Sequence, residues 1–115
     1  TAQYTYARAC SILRKSKLSV EGLDFEGLEH DYAWNVVKVL QQFPVTVMRA
    51  FDRYEPSVIS KYLLDLAQSF NKYYGHVRIL EEDAQLKSRL ALLVAVTTVL
   101  AEGLRLLGIE APEEM

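Results

Sequence analysis

The residues with chemistry to offer are aromatic and basic. Tyr4, Tyr6 and Arg8 stand close together near the N-terminus, and Asn71, Lys72, Tyr73 and Tyr74 form a second polar, basic and aromatic group. A tyrosine ring stacks on an unpaired base while its hydroxyl reaches a base edge or backbone, worth about 1–3 kcal/mol per base. An arginine adds a planar fork for phosphate or base edges. Tyr4 and Arg8 are one helical turn apart, about 6 Å along the axis, so on a helix they share a face. The competing assignment for aromatics at helical spacing is the core. Tyr74 lies on the apolar face with Phe70 and is assigned to the core; Tyr73, rotated about 100° from it, is the freer ring.

Other chemistry finds little support. His30 and His76 are separated by 45 residues, and neither has a second histidine or cysteine at ligand spacing. Cys10, the single cysteine, excludes an internal disulfide and fits a small core residue in a reducing, intracellular setting. The five glycines are too dispersed for a phosphate-cradling loop. Asp24 and Glu26 lie in or beside a loop with no partner for acid–base work. No catalytic residue is assigned.

The net charge of −2 argues against a uniformly basic nucleic-acid binder, yet it is unevenly spread. Residues 1–20 hold Arg8, Arg14, Lys15 and Lys17 and no acid, while the other 95 hold nine basic and fifteen acidic residues. Such a segment is either a solvated basic helix or an edge that tracks phosphates.

The elements that must position these groups read as helices. A length of 115 residues, half of them apolar, suits one globular domain. Ile59, Leu63, Leu66, Ala67, Phe70, Tyr74 and Val77 recur at helical steps over 59–80 and predict a helix, with Pro56 followed by Ser57 fitting its start. Further helices are expected over 3–18, 29–42, from Pro44 to about Arg53, and 84–107 with Gly108 as C-terminal cap. Segment 19–28 is the main loop. The apolar run Leu90 to Ala101 spans only twelve residues, short of the roughly 20 a membrane span needs, and reads as a buried helix. The N-terminus lacks the pattern of a signal peptide. The fold class expected is all-α, an antiparallel helical bundle, with no membrane partner.

The wording of the sequence adds a resemblance. The opening Gln3-Tyr4-Thr5-Tyr6-Ala7-Arg8-Ala9-Cys10-Ser11-Ile12 resembles the segment that opens the C-terminal domain of arginyl-tRNA synthetases. Tyr62-Leu63-Leu64-Asp65-Leu66-Ala67-Gln68-Ser69-Phe70-Asn71-Lys72-Tyr73-Tyr74 is similar to that family's central stretch. Val77-Arg78-Ile79-Leu80 is similar to the family's R-V-L stretch, and Asp83-Ala84 with Arg89-Leu90-Ala91-Leu92 resembles the pattern behind the domain's name, DALR. The ending Gly108-Ile109-Glu110-Ala111-Pro112-Glu113-Glu114-Met115 resembles the family terminus. These matches are collinear over nearly the whole chain. Lys15-Ser16-Lys17-Leu18-Ser19 faintly echoes a class I catalytic loop, but it follows the opening segment rather than preceding it.

The resemblance implies an anticodon-binding bundle that is one part of a longer, cytoplasmic and monomeric synthetase. The catalytic domain of the same chain would bind ATP, with Mg, and attach arginine to tRNA. By the same resemblance Tyr4 and Arg8 would address the anticodon loop of tRNA(Arg), and Tyr73, beside Asn71, would stack on or bond a splayed base. Met115 would act through its backbone, helping to read the middle anticodon cytosine. Lys15 and Lys17 are candidate phosphate contacts. Tyr6 stands where the family usually has histidine and Glu114 where it usually has arginine. The alternatives are the DALR domain of a cysteinyl or glycyl β-subunit synthetase, or a stand-alone helical interaction module.

Overall fold

Two breaks, at Gln42 and at Val77, divide the apolar pattern into its working pieces. The computed structural model describes residues 2–16, 31–77, 79 and 86–108, with the backbone alone at Lys15 and Ser16. Among them are five helices and no strand: α1 (Ala2–Ser16), α2 (Asp31–Gln41), α3 (Phe43–Arg53), α4 (Ser57–His76) and α5 (Leu86–Leu106). The expected loop 19–28 lies outside the described residues.

Pro44 restarts the chain as expected. It occupies the first turn of α3, where a missing N–H costs nothing, and Thr46 Oγ1 donates to the Gln42 carbonyl at 2.8 Å across the junction. Tyr54 closes α3 in the left-handed conformation, φ 55°, its N–H directed at the Ala50 and Phe51 carbonyls. Gly108 follows α5 with φ +74° and donates its N–H to Arg105 at 3.0 Å, the glycine cap the sequence suggested.

α4 is the hub and touches each of the other helices. Its buried stripe comprises Ile59, Tyr62, Leu63, Leu66, Ala67, Phe70 and Tyr73. α5 is buried almost all round, with Leu90, Leu92, Leu93, Val96 and Leu100 fully enclosed, as the apolar run required. Contacts at both ends fix direction. Gly103, late in α5, lies against Leu63, early in α4, while Arg89, early in α5, donates Nε to the Ile79 carbonyl at 2.9 Å just past α4. Tyr62 donates its hydroxyl to the Val39 carbonyl of α2 at 2.6 Å, and Tyr32 stacks on His76. α2 and α5 therefore both run antiparallel to α4.

α4 ends at His76, four residues earlier than the periodicity suggested. Val77 turns extended, φ −130° and ψ 133°, and Ile79 dives into the core where its carbonyl meets Arg89. The apolar character of Val77 and Ile79 is real, but it serves a buried turn rather than another turn of helix.

Candidate nucleic-acid interface

Arg8 organises the site. It projects from α1, and one guanidinium nitrogen donates to the Tyr4 hydroxyl at 3.0 Å while the other donates to Asn71 Oδ1 at 3.4 Å. The guanidinium carbon lies 4.8 Å from the Tyr4 ring centroid and 4.7 Å from that of Tyr74, within the range of cation–π attraction. Asn71 is itself held, its Nδ2 donating to Thr5 Oγ1 at 3.3 Å. Thr5 is fully buried between α1 and the rest of the bundle, so the network is anchored in the core and opens to solvent.

The helices explain why these groups meet. Tyr4 and Arg8 share a face because they are one turn apart, as the spacing predicted. Ala2, Thr5 and Ala9, on the buried side of α1, are small, which lets α1 approach the bundle closely. Asn71 and Tyr74 are three residues apart on α4 and face α1 from the other side. Thr5 has no role legible in the sequence, where a lone threonine between two tyrosines carries no signal of one.

The assignment of the two adjacent tyrosines is corrected. Tyr73 is 0% exposed and packs tilted against Phe70, whereas Tyr74 is 42% exposed and lies against Arg8. Tyr73 therefore has no free face for a base, and Tyr74 takes the position expected of it. The reason is Tyr62. At about 100° per residue, burying Tyr62 rotates the centre of the α4 stripe toward Tyr73 and leaves Tyr74 on its flank. A stripe drawn without Tyr62 is centred nearer Tyr74 instead. Burial pushes the Tyr73 hydroxyl up to about 12, an effect the positive charge of Arg89 partly opposes. That hydroxyl has no hydrogen-bond partner among the described residues.

The remaining candidates are less defined. Lys15 belongs to the last turn of α1, while Lys17 and Met115 lie outside the described residues. Cys10 is a free, partly buried thiol. No group of three or more metal-ligating side chains occurs among the described residues. Another exposed feature, on α3, is apolar: Val45, Met48, Phe51 and Tyr54 project outward beside a depression of about 280 Å³. Among the described residues, the Arg8 cluster combines exposed π faces, a planar cation and an amide held in place.

Residues 2–115 match the family described as the DALR anticodon binding domain. The chain is 65% identical over 113 residues to an arginine–tRNA ligase of Bacillus cereus, covering 98% of this chain and 20% of that protein. It is 60% identical over 113 residues to the arginine–tRNA ligase of Enterococcus faecalis, again covering 98% of this chain and 20% of that protein. The arginyl-tRNA synthetase structure from Thermus thermophilus superposes with a TM-score of 0.88 at 37% identity, over 99% of this chain and 20% of that one. The chain thus spans about one fifth of the relatives it matches.

Proposed function

The chain belongs to the DALR anticodon-binding domain family, and from that premise we propose that it reads the anticodon loop of tRNA(Arg) through Tyr4, Arg8, Asn71 and Tyr74. The observation that carries this is the seating of Arg8 against two exposed tyrosine rings with Asn71 in hydrogen-bond reach. Single-stranded loops are recognised by splaying bases onto aromatic or guanidinium planes and bonding their edges. A guanidinium has more N–H donors than its contacts to Tyr4 and Asn71 use, so Arg8 keeps donors for a phosphate or a base edge. Holding that cation in place before the RNA arrives lowers the ordering cost of binding.

Arginine is the amino acid named for each relative described above, which favours tRNA(Arg) over the cysteinyl and glycyl alternatives. The remainder of such a ligase would bind ATP with Mg and attach arginine, in the cytoplasm and as a monomer. No helix of the described residues is long and apolar enough to cross a membrane. Met115 keeps its proposed backbone contact with the middle anticodon base, and Lys15 and Lys17 their proposed phosphate contacts. The test is fluorescence anisotropy with a labelled tRNA(Arg) anticodon stem-loop. Arg8→Ala should weaken binding at least tenfold; unchanged affinity would remove the cluster from the interface.

A further inference from the structure

A second ring pair stands at the end of α4, on the side away from Arg8. The His76 imidazole stacks on Tyr32, from the first turn of α2, at 4.3 Å between centroids and 20° from parallel. Its Nδ1 lies 2.8 Å from the Lys72 carbonyl oxygen, and since a carbonyl only accepts, Nδ1 carries the proton. Two contacts therefore fix the ring, while His76 as a whole is exposed.

The surface between the two ring systems is open. At about 100° per residue, Asn71, Gly75, Lys72 and His76 follow one another around the outer face of α4, and all four are exposed. A Cβ added at Gly75 would meet nothing within 4 Å, and Gly75 does not adopt a left-handed backbone. Neither space nor conformation in the free chain calls for glycine there, although glycine weakens a helix relative to alanine. A glycine on an exposed helix face does permit close approach by another backbone.

We infer that an RNA strand engaged at Arg8 and Tyr74 continues across the outer face of α4 over Gly75 and stacks a further base on His76, with Tyr32 as its backing. This rests on the anticodon-loop reading and extends it to a second platform. Histidine is among the rings on which unpaired bases stack. The Tyr32 contact holds the imidazole ready for a base on its other face.

The experiment is an anisotropy titration of the tRNA(Arg) anticodon stem-loop with the chain and its Gly75→Gln, His76→Ala, His76→Phe and Arg8→Ala variants, each also melted thermally. Gly75→Gln should melt at or above the wild-type temperature yet bind at least tenfold more weakly. His76→Ala should lose several-fold in affinity, and His76→Phe should recover it, because a ring is restored without the N–H. If Arg8→Ala binds weakly while Gly75→Gln and His76→Ala bind like the wild type, this inference fails and the anticodon reading stands. If both His76 variants melt lower with wild-type affinity, the ring is only a helix cap and the second platform is overturned. If Arg8→Ala itself binds like the wild type, the reading and the inference fall together.

Discussion

The guanidinium of Arg8 rests 4.7 Å from the centre of the Tyr74 ring, joining the first half of α1 to the last turn of α4. The contact is solvent-facing, but Thr5 beneath it is buried and bonded to Asn71, so the pair sits on a rigid floor. On the function proposed above, placing a cation on a π face in this way would ready the cluster to receive RNA rather than merely attract it.

Tyr73 and Tyr74 should therefore separate stability from binding. Tyr74→Ala is expected to weaken stem-loop binding by about 1–3 kcal/mol with little loss of fold. Tyr73→Ala should instead cost about 3–5 kcal/mol of stability, as for other buried aromatics cut to alanine. Urea denaturation alongside anisotropy distinguishes the two, and reversed effects would reinstate Tyr73 as the base contact.

Tyr73→Phe is expected to be neutral or stabilising, because it removes a buried hydroxyl with no partner among the described residues. Tyr62→Phe should be destabilising, since the Tyr62 hydroxyl satisfies the Val39 carbonyl at 2.6 Å. A net loss of about 0.5–1.5 kcal/mol is the usual scale for one such bond. Comparing the urea midpoints of the two variants checks both.

Burial pushes both Tyr62 and Tyr73 from 10.0 up to about 12. Folding thus favours the neutral phenols, and their stabilising contribution is complete below pH 10 and lost as the pH climbs from there toward about 12. Melting temperature should fall over that window, and Tyr73→Phe should flatten the fall. Absorbance at the tyrosinate band should show one late-titrating group fewer in the variant than in the wild type.

Gly103→Ala tests the α4–α5 contact. An added Cβ would stand 2.5 Å from Leu63 Cδ2 and 3.1 Å from its Cγ, and Leu63 is only 2% exposed. With Leu63 enclosed, the overpacking should cost about 1–3 kcal/mol and outweigh the helix preference of alanine. Leu63→Ala should cost less stability in the Gly103→Ala background than in the wild type, a coupling that a double-mutant cycle measures.

Much of this fold is written in local pattern. Proline at 44, glycine at 108 and the apolar run from Leu90 mark helix ends and burial by their own chemistry, and the turn-spaced pair Tyr4 and Arg8 meets as expected. The Tyr73–Tyr74 choice is different. Both lie at the margin of the α4 stripe, and which one is buried depends on Tyr62 turning toward Val39, a tertiary contact invisible to helical spacing. The Tyr32–His76 stack is likewise a product of α2 lying antiparallel to α4, so His76 reads in sequence only as an isolated histidine without metal partners. Asn71 stands out in sequence through its place in the polar, basic and aromatic group of α4; its bond to Thr5 required the packed helices.

On the function proposed above, this bundle discriminates the anticodon of tRNA(Arg). The most direct measurement is the affinity of the chain for the tRNA(Arg) anticodon stem-loop against the same stem-loop with its middle cytosine replaced, at one fixed salt concentration. Loops that differ at one base carry the same phosphate charge, so non-specific attraction cancels between them. Weaker binding of the altered loop, by at least tenfold, is the result expected. Equal affinity for the two loops would contradict anticodon recognition by this domain.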